Sequence, residues 1–325
     1  RTVDQDLSKA VELLADLVMN PLLDKKDVNK ERGVILEEIA LEDDSPEDLM
    51  YNLLHQGIYQ GQSLSGTILG AREAIASYTR DDLMVYRRRF YQPRNTVVAV
   101  VGGIEPEALL QQLTVVFESW DDSGSEAAYP NNQLICCDKK LRLEKDVEQM
   151  HLCLAYPGFR QRDDRRFMML VLSGMLGGGV SSRLFQHLGE DQGLVYSIYA
   201  SPSSYPDCGD FTVYAAASPQ SIHKVIKGIR DEINKVIKDG FAESEFLRTM
   251  AQIKTNYALA QESAYQRMNH LGVHLLTSGE IIPVRRILKQ LNAVRLEDVN
   301  ALARAVLQTP CALALVGRDA DKINI

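Results

Sequence analysis

The chain has 325 residues, 45% hydrophobic and 25% charged, the balance of a globular protein with room for two domains. No apolar run reaches the roughly 18 residues that span a bilayer, which speaks against a membrane protein. The net charge of -8 speaks against nucleic acid as a partner. The five cysteines, Cys136, Cys137, Cys153, Cys208 and Cys311, are odd in number and form no C-x-x-C. A reduced, cytoplasmic setting fits them best, and a periplasmic one stays open.

The chain starts at Arg1 without an initiator methionine and goes directly into an amphipathic helix. Leu7, Ala10, Val11, Leu14, Leu17 and Val18 form its apolar stripe. The stretch "ERGVILEEIALEDDSPED", Glu31 to Asp48, reads as a helix that breaks at Ser45-Pro46 and restarts. Glu31, Glu38 and Glu42 share one face of the first of these helices, since seven residues make close to two turns. From Thr79, "TRDDLMVYRRRFYQPRNTVVAVVGG" gives a helix with an acidic first turn, then a strand ending in Val-Gly. Asp121 to Asn132 is polar and rich in turn formers, as a linker is.

Beyond the linker, "LRLEK" at Leu141 and the alternation of Met150, Leu152, Leu154 and Tyr156 predict strands. A helix follows from about Asp164, then strands at "GLVYSIYAS" and "GDFTVYAAASP". Helices run from Ser218 to Leu307, and a last strand begins at Cys311. The order predicts an α+β fold, with a largely antiparallel sheet and helices packed on one face.

The segment from Arg295, "RLEDVNALARAVLQTPCALALVGR", repeats the pattern found from Thr79, and Asp82 matches Asp298 at an offset of 216. Such a period is a domain duplication rather than a solenoid. It divides the chain into a first domain (1–120), a linker (121–140) and a homologous second domain (141–325). Since the second repeat starts near residue 141, the offset places about 70 residues of the first repeat ahead of Arg1. The counterpart of Glu38 in the second repeat is Lys254, so the architecture is duplicated and this carboxylate is not.

His270 and His274 have the i, i+4 spacing of a metal pair but lack a neighbouring Glu base, and they read as packing or surface residues. The run "LGGGVSSRLF", Leu176 to Phe185, has no Gly-Lys-[Ser/Thr], so it is a turn ahead of a helix rather than a phosphate loop.

Taken together, "ERGVILEEIALEDDSPEDL", "TILGAREAI", "YTRDDLMVYRRRFYQPRNTVVAVVGGI", "LGGGVSSRLFQHLGEDQGLVYS" and "AQESAYQRMNHLG" resemble the insulinase/pitrilysin/mitochondrial processing peptidase family. The resemblance runs over nearly all of the chain in the family's order. It implies two homologous domains that close as a clamshell over a peptide chamber, and a zinc metalloendopeptidase with the inverted motif His-x-x-Glu-His. That motif is not in the sequence. The family places it roughly 75 residues before the third zinc ligand, inside the segment that the repeat offset puts ahead of Arg1.

By the same resemblance Glu38 is the third zinc ligand and Glu31 a nearby carboxylate that orients the site. Glu37 and Glu42 are left as plain surface residues. Tyr196, in "GLVYS", would donate a hydrogen bond to the scissile carbonyl; the plain alternative is a core tyrosine. Gly177, Gly178 and Gly179 become a loop at the substrate cavity. Gly189 stands where the family often has Arg. The implied partners are peptides or unfolded proteins bound as an added strand on a sheet edge, with neither nucleic acid nor membrane, and a homodimer is an open arrangement. The alternative is a non-catalytic partner or scaffold subunit of the same fold.

Overall fold

The computed structural model describes residues 1–122, 132–133 and 138–323. Most of the expected linker, with Cys136 and Cys137, lies outside the described residues. Cys153, Cys208 and Cys311 are free thiols. Among the described residues no helix is long and apolar enough to cross a membrane.

In chain order the first helices are α1 (Leu7–Met19), α2 (Lys25–Asp44), α3 (Pro46–Ile58), α4 (Arg72–Ser77), α5 (Arg80–Phe90) and α6 (Pro106–Phe117). Then come β1 (Lys140–Glu144), β2 (Met150–Pro157), α7 (Arg165–Gly177), β3 (Ser197–Ser204) and β4 (Gly209–Ala217). Helices α8 (Ile222–Asp239), α9 (Glu243–Ala260), α10 (Ala264–Ser278), α11 (Val284–Ala293) and α12 (Leu296–Leu307) lead to β5 (Ala312–Gly317).

Contacts divide the chain into two compact units that interleave along the sequence. The first is Arg1–Glu37, Arg72–Tyr129 and Ala258–Ile282; the second is Glu38–Ala71, Pro130–Tyr257 and Pro283–Ile325. This division follows packing, whereas the one at 121–140 follows sequence likeness.

The first unit is helical. Thr79 and Asp82 form the capping box that opens α5, with the Thr79 N–H donating to Asp82 Oδ2 at 2.8 Å. The Arg87 guanidinium donates to the Val18 carbonyl at 3.2 Å and to that of Met19, which satisfies the exposed end of α1. Val11 and Ala15 of α1 are buried, but Leu14 and Leu17 of the same stripe are 58% and 59% exposed. The strand predicted in "TVVAVV" does not form, and Thr96–Val101 has no regular structure. A strand needs a ladder partner, and the described residues of this unit contain no other strand.

The second unit holds a five-stranded sheet of order β1-β5-β2-β4-β3. Only β1–β5 is parallel; the other pairs are antiparallel. The α+β class and the antiparallel bias follow the sequence. The cover of the sheet differs from it, because helices lie on both faces. Cys153, Ala155, Tyr214, Ala216, Ala312, Ala314 and Val316 cluster with Met50, Leu54, Ile58 and Tyr59 on and just after α3. The alternate residues Leu152, Leu154, Val213, Leu313 and Leu315 are equally buried and turn to the opposite face, where α7, α8 and α12 pack. Strands apolar at both parities leave apolar side chains in water unless both faces are covered, and each Leu or Met buried this way stabilises by about 1.5–3 kcal/mol.

Two local features set the helices in place. Ser45 caps α3 through the Asp48 N–H, with Pro46 at its first position, which explains the break from α2. On the other face Ser173 Oγ donates to the Ala200 carbonyl at 2.8 Å. One turn on, a Cβ at Gly177 would stand 2.5 Å from the Ala200 nitrogen. Small residues therefore let α7 lie against the backbone of β3. Gly177→Ala is expected to destabilise by about 1–3 kcal/mol, the usual range for an overpacked core. Thermal unfolding of the variant checks it, and an unchanged midpoint would show that α7 can move off β3 without cost.

Candidate active site

Glu31 and Glu38 lie on α2, both exposed, and as two turns separate them they project from the same side. Among the described residues neither carboxylate makes a hydrogen bond or ion pair. Of the twenty residues of α2 only Ile39 is buried. Glu42, expected to be a plain surface residue, is half-buried and accepts from Asn52 Nδ2 at 2.8 Å, because the turn at Ser45 folds α3 back within its reach. Lys145 Nζ donates to the Asp43 carbonyl at 2.8 Å and pairs with Asp44 at 3.7 Å. The end of α2 is thus fastened, while the two carboxylates upstream stay free.

Among the described residues no three His, Cys, Asp or Glu side chains gather as a metal site. A catalytic zinc takes three protein ligands. The described residues bring no such set together, so they do not by themselves hold the metal. His270 and His274 touch ring to ring at 4.3 Å between centroids, and His270 Nε2 bonds the Ile282 carbonyl at 2.8 Å.

Tyr196 lies just ahead of β3. Its N–H donates to the Ala216 carbonyl at 2.8 Å, and its side chain is 70% exposed. It is not a core tyrosine. The path to it is built from "SSRLFQHLGEDQGLVYS". Arg183 donates through Nε and Nη2 to the two oxygens of Glu245 at 2.7 and 2.8 Å, and through Nη2 to the Gly240 carbonyl. Burial raises the Glu245 carboxyl, but the Arg183 hydrogen bonds, the Ala242 N–H and the charges of Arg183 and Arg248 together outweigh it and hold the group below the usual range.

A π-helix follows, Phe185–Glu190, a form that recurs at functional sites. The chain reverses at Gly193, where φ is 58°, and the Leu194 N–H donates back to the Leu188 carbonyl at 2.8 Å. Gly228 of α8 has no Cβ to strike Leu188. Gly189 leaves its place open, since a Cβ there would meet only the Phe185 ring, 3.8 Å away. Of the glycine run, Gly177 is buried and accounted for by packing, whereas Gly178 and Gly179 are in the turn that follows α7.

Sequence reasoning missed a row of polar residues on α3 and just beyond it. Glu47, Tyr51, His55 and Tyr59 recur every four residues and so share one face. They meet the β3–β4 side of the sheet. Tyr51 donates to the Tyr199 hydroxyl at 3.1 Å, Tyr199 donates to Glu47 Oε1 at 2.5 Å, and Tyr59 donates to Asp210 Oδ2 at 2.8 Å. Beside them His151 Nδ1 bonds the Tyr214 hydroxyl at 2.8 Å. Asp210 is fully buried, and its Oδ1 has no hydrogen-bond partner. Burial pushes its carboxyl up, against the opposing pull of Tyr59, His55 and Ser203. Burial also lowers the His55 pKa and drives the Cys208 thiol up to about 11. The four-residue spacing was visible in the sequence, but aromatic residues on an amphipathic helix read equally well as core.

Comparison with known proteins places these residues in a family. The profile described as insulinase (peptidase family M16) matches residues 1–72, and the one described as the peptidase M16 inactive domain matches residues 77–253. An uncharacterized zinc protease of Streptomyces coelicolor is 34% identical over 328 residues, which cover 99% of this chain and 72% of that protein. The uncharacterized zinc protease YmxG of Bacillus subtilis is 33% identical over 316 residues, 97% of this chain and 76% of that protein.

Among solved structures, a protease from Helicobacter pylori superposes with a TM-score of 0.89 at 20% identity, over 97% of this chain and 77% of the other. A peptidase M16 inactive domain from Pseudomonas fluorescens gives 0.88 at 18% identity, over 97% and 76%. These likenesses show the fold. Zinc is the cofactor of the family, as the names of its relatives record. By profile and by sequence identity along its length, the chain belongs to the insulinase (M16) family of peptidases.

Proposed function

We propose that the intact protein is a zinc metalloendopeptidase and that this chain supplies one zinc ligand and the groups that steady the substrate. One contrast carries the reading: of the carboxylates on α2, Glu42 is consumed by Asn52, whereas Glu31 and Glu38 are exposed, unpartnered among the described residues and two turns apart. An unpaired carboxylate pair held on a fastened helix suits a ligand, Glu38, and an orienting neighbour, Glu31. The described residues do not complete a zinc site, and their own part is to offer one ligand, orient it and hold the substrate.

Tyr196 presents a free hydroxyl at the start of β3, an edge strand of the sheet. A peptide in extended form would pair with such an edge through its backbone, whatever its side chains. That suits peptides and unfolded chains of many sequences. The Tyr196 O–H would donate to the carbonyl oxygen as negative charge develops there, and the bond strengthens as the charge grows.

A second reading, a non-catalytic partner subunit, draws on Gly189, where the family often has Arg. The full-length protein decides between the two. Under the first reading it hydrolyses unfolded peptides, a chelator stops it, and Glu38→Gln abolishes both stoichiometric zinc and activity. Glu31→Gln lowers zinc affinity or activity by about 10- to 100-fold. Wild-type zinc content in Glu38→Gln would refute the ligand assignment, and full-length protein without hydrolysis would favour the partner subunit.

Residues 1–325 alone are expected to show no chelator-sensitive hydrolysis. Tyr196→Phe in the full-length protein is expected to lower kcat by about 100- to 1000-fold with zinc content unchanged. Its stability should stay within about 0.5 kcal/mol, as for an exposed side chain. Unchanged kcat in steady-state kinetics would remove Tyr196 from the mechanism.

A further inference from the structure

The face of α3 that meets the sheet has two parts of different character. Met50, Leu54 and Ile58 rest on the small residues Ala312, Ala314 and Val316 of β5 and on Cys153 and Ala155 of β2. Apolar contacts of this kind hold a helix down but discriminate weakly between neighbouring positions along a smooth surface. The polar row beside them is directional. At its far end Tyr59, 0% exposed, reaches over to Asp210, also 0% exposed, at 2.8 Å.

A carboxyl group at such a depth is costly for an apolar interface, and the unsatisfied Oδ1 makes the charged form more so. An apolar residue at position 210 would cover the sheet as well. Buried polar contacts of this kind are best attested as devices that fix register.

We propose that Tyr59 and Asp210 form a buried latch that sets where α3 sits on the sheet, and thereby positions Glu38 relative to Tyr196. The inference rests on the peptidase function proposed above. The connection runs through covalent and hydrogen-bonded structure. Only Ser45 separates α3 from α2, and Lys145 of the sheet domain ties down Asp43 and Asp44. Glu38 sits less than two turns upstream on the same helix. Asp210 is on β4, which pairs with β3 from Ser197 to Ser204, the strand that Tyr196 introduces. Lys145 holds that end only through surface contacts of a flexible side chain, so a shift of α3 along the sheet still carries Glu38 with it and leaves Tyr196 behind. Tyr59 and Asp210 are positioning residues, since neither touches substrate.

The titratable and polar groups around Asp210 are Tyr59 and His55 from the α3 side, Cys153 from β2, and Ser203, Tyr205 and Cys208 from β3 and the turn that follows it. Burial raises the folded-state pKa of Asp210 above the ordinary 3.8. The unfolded chain then loses this proton first as pH rises. The stability that the neutral acid contributes is present at low pH and is lost as pH climbs from the ordinary carboxyl value through the folded one. Asp210→Asn keeps an acceptor for Tyr59 and removes the titration. Its melting temperature, compared with wild type, should gain progressively across that interval and then level off.

The test uses full-length protein in four forms: wild type, Asp210→Asn, Tyr59→Phe, and Tyr59→Phe combined with Asp210→Leu. Thermal unfolding is followed from acid to mildly alkaline pH, and unfolded-peptide hydrolysis is measured below every melting point. Tyr59→Phe should lose about tenfold or more in kcat with KM nearly unchanged, as a misplaced catalytic group does. Asp210→Asn should stay near wild type in kcat. The double variant, with both polar partners gone, should recover its melting temperature while kcat stays low, because the register is no longer specified. Recovery of kcat together with stability would show a merely structural contact and overturn the proposal. If wild type cleaves no peptide, the peptidase reading falls by itself. Hydrogen exchange then decides the latch, and α3 protection in Tyr59→Phe equal to wild type would refute it.

Discussion

The structure of the second unit depends on one constraint: its three inner strands are apolar at both parities. Every residue of β4 and β5, and all of β2 up to Tyr156, is buried. A sheet of this kind cannot leave a face to water. Helices α7, α8 and α12 come from the sequence around the sheet and cover one side. The other side is covered by α3, which the sequence places about eighty residues before β1, a distance that loop-closure entropy penalises only slowly. Because α3 is the continuation of α2 across Ser45, the need to cover that face also places Glu38. The position of a ligand candidate is thus a by-product of hydrophobic burial, refined by a few polar bonds.

Those polar bonds separate the carboxylates by use. Glu42, Glu47, Asp210 and Glu245 each accept a hydrogen bond from a named partner, Asn52, Tyr199, Tyr59 and Arg183. Glu31 and Glu38 accept none among the described residues. Buried or half-buried acids need partners because desolvation is expensive, so their bonding says little about chemistry. An exposed acid needs no partner either. Glu38 stands free on a helix whose end is fastened on two sides, as Glu37 beside it does, and what singles it out is its two-turn spacing from Glu31 within the stretch that the insulinase profile spans.

Much of the fold was legible in the sequence. The strands from Leu141 onward announced themselves by alternation and by turn formers, and Ser45-Pro46 marked the boundary between α2 and α3. Tyr196 was found through its motif, though whether it was exposed could not be read from "GLVYS". Two things were not legible, for physical reasons. The periodicity of Met50, Leu54 and Ile58 says that a face is buried but not what buries it, so helices on both faces of the sheet could not be foreseen. Thr96–Val101 has the composition of a strand, and strand formation is decided by a partner rather than by propensity. The packing role of Gly177 was hidden for a similar reason, since a glycine needed for close approach looks the same in sequence as one needed for flexibility.

The two units also differ in how firmly they are held. Nearly all of the buried apolar residues belong to the second, while the first buries Val11, Ala15, Leu109 and Ile282 and exposes Leu13, Leu14, Leu22, Leu110 and Val115. Local stability follows buried apolar contacts. The first unit should therefore open at lower cost than the second. Helix α2 runs unbroken through the division, with Glu31 on the first unit's side and Glu38 on the second's. Arg32, next to Glu31, is held by the Ile75 carbonyl at 3.2 Å and by that of Tyr78, contacts that belong to the softer unit. Glu38 is seated by Ile39 and by the fastened end of the helix. Of the two carboxylates, Glu38 thus takes its place from the better-buried unit. Backbone seated by buried contacts holds its side chains more closely than backbone that is not, so Glu38 is the better placed of the two to stay in one position.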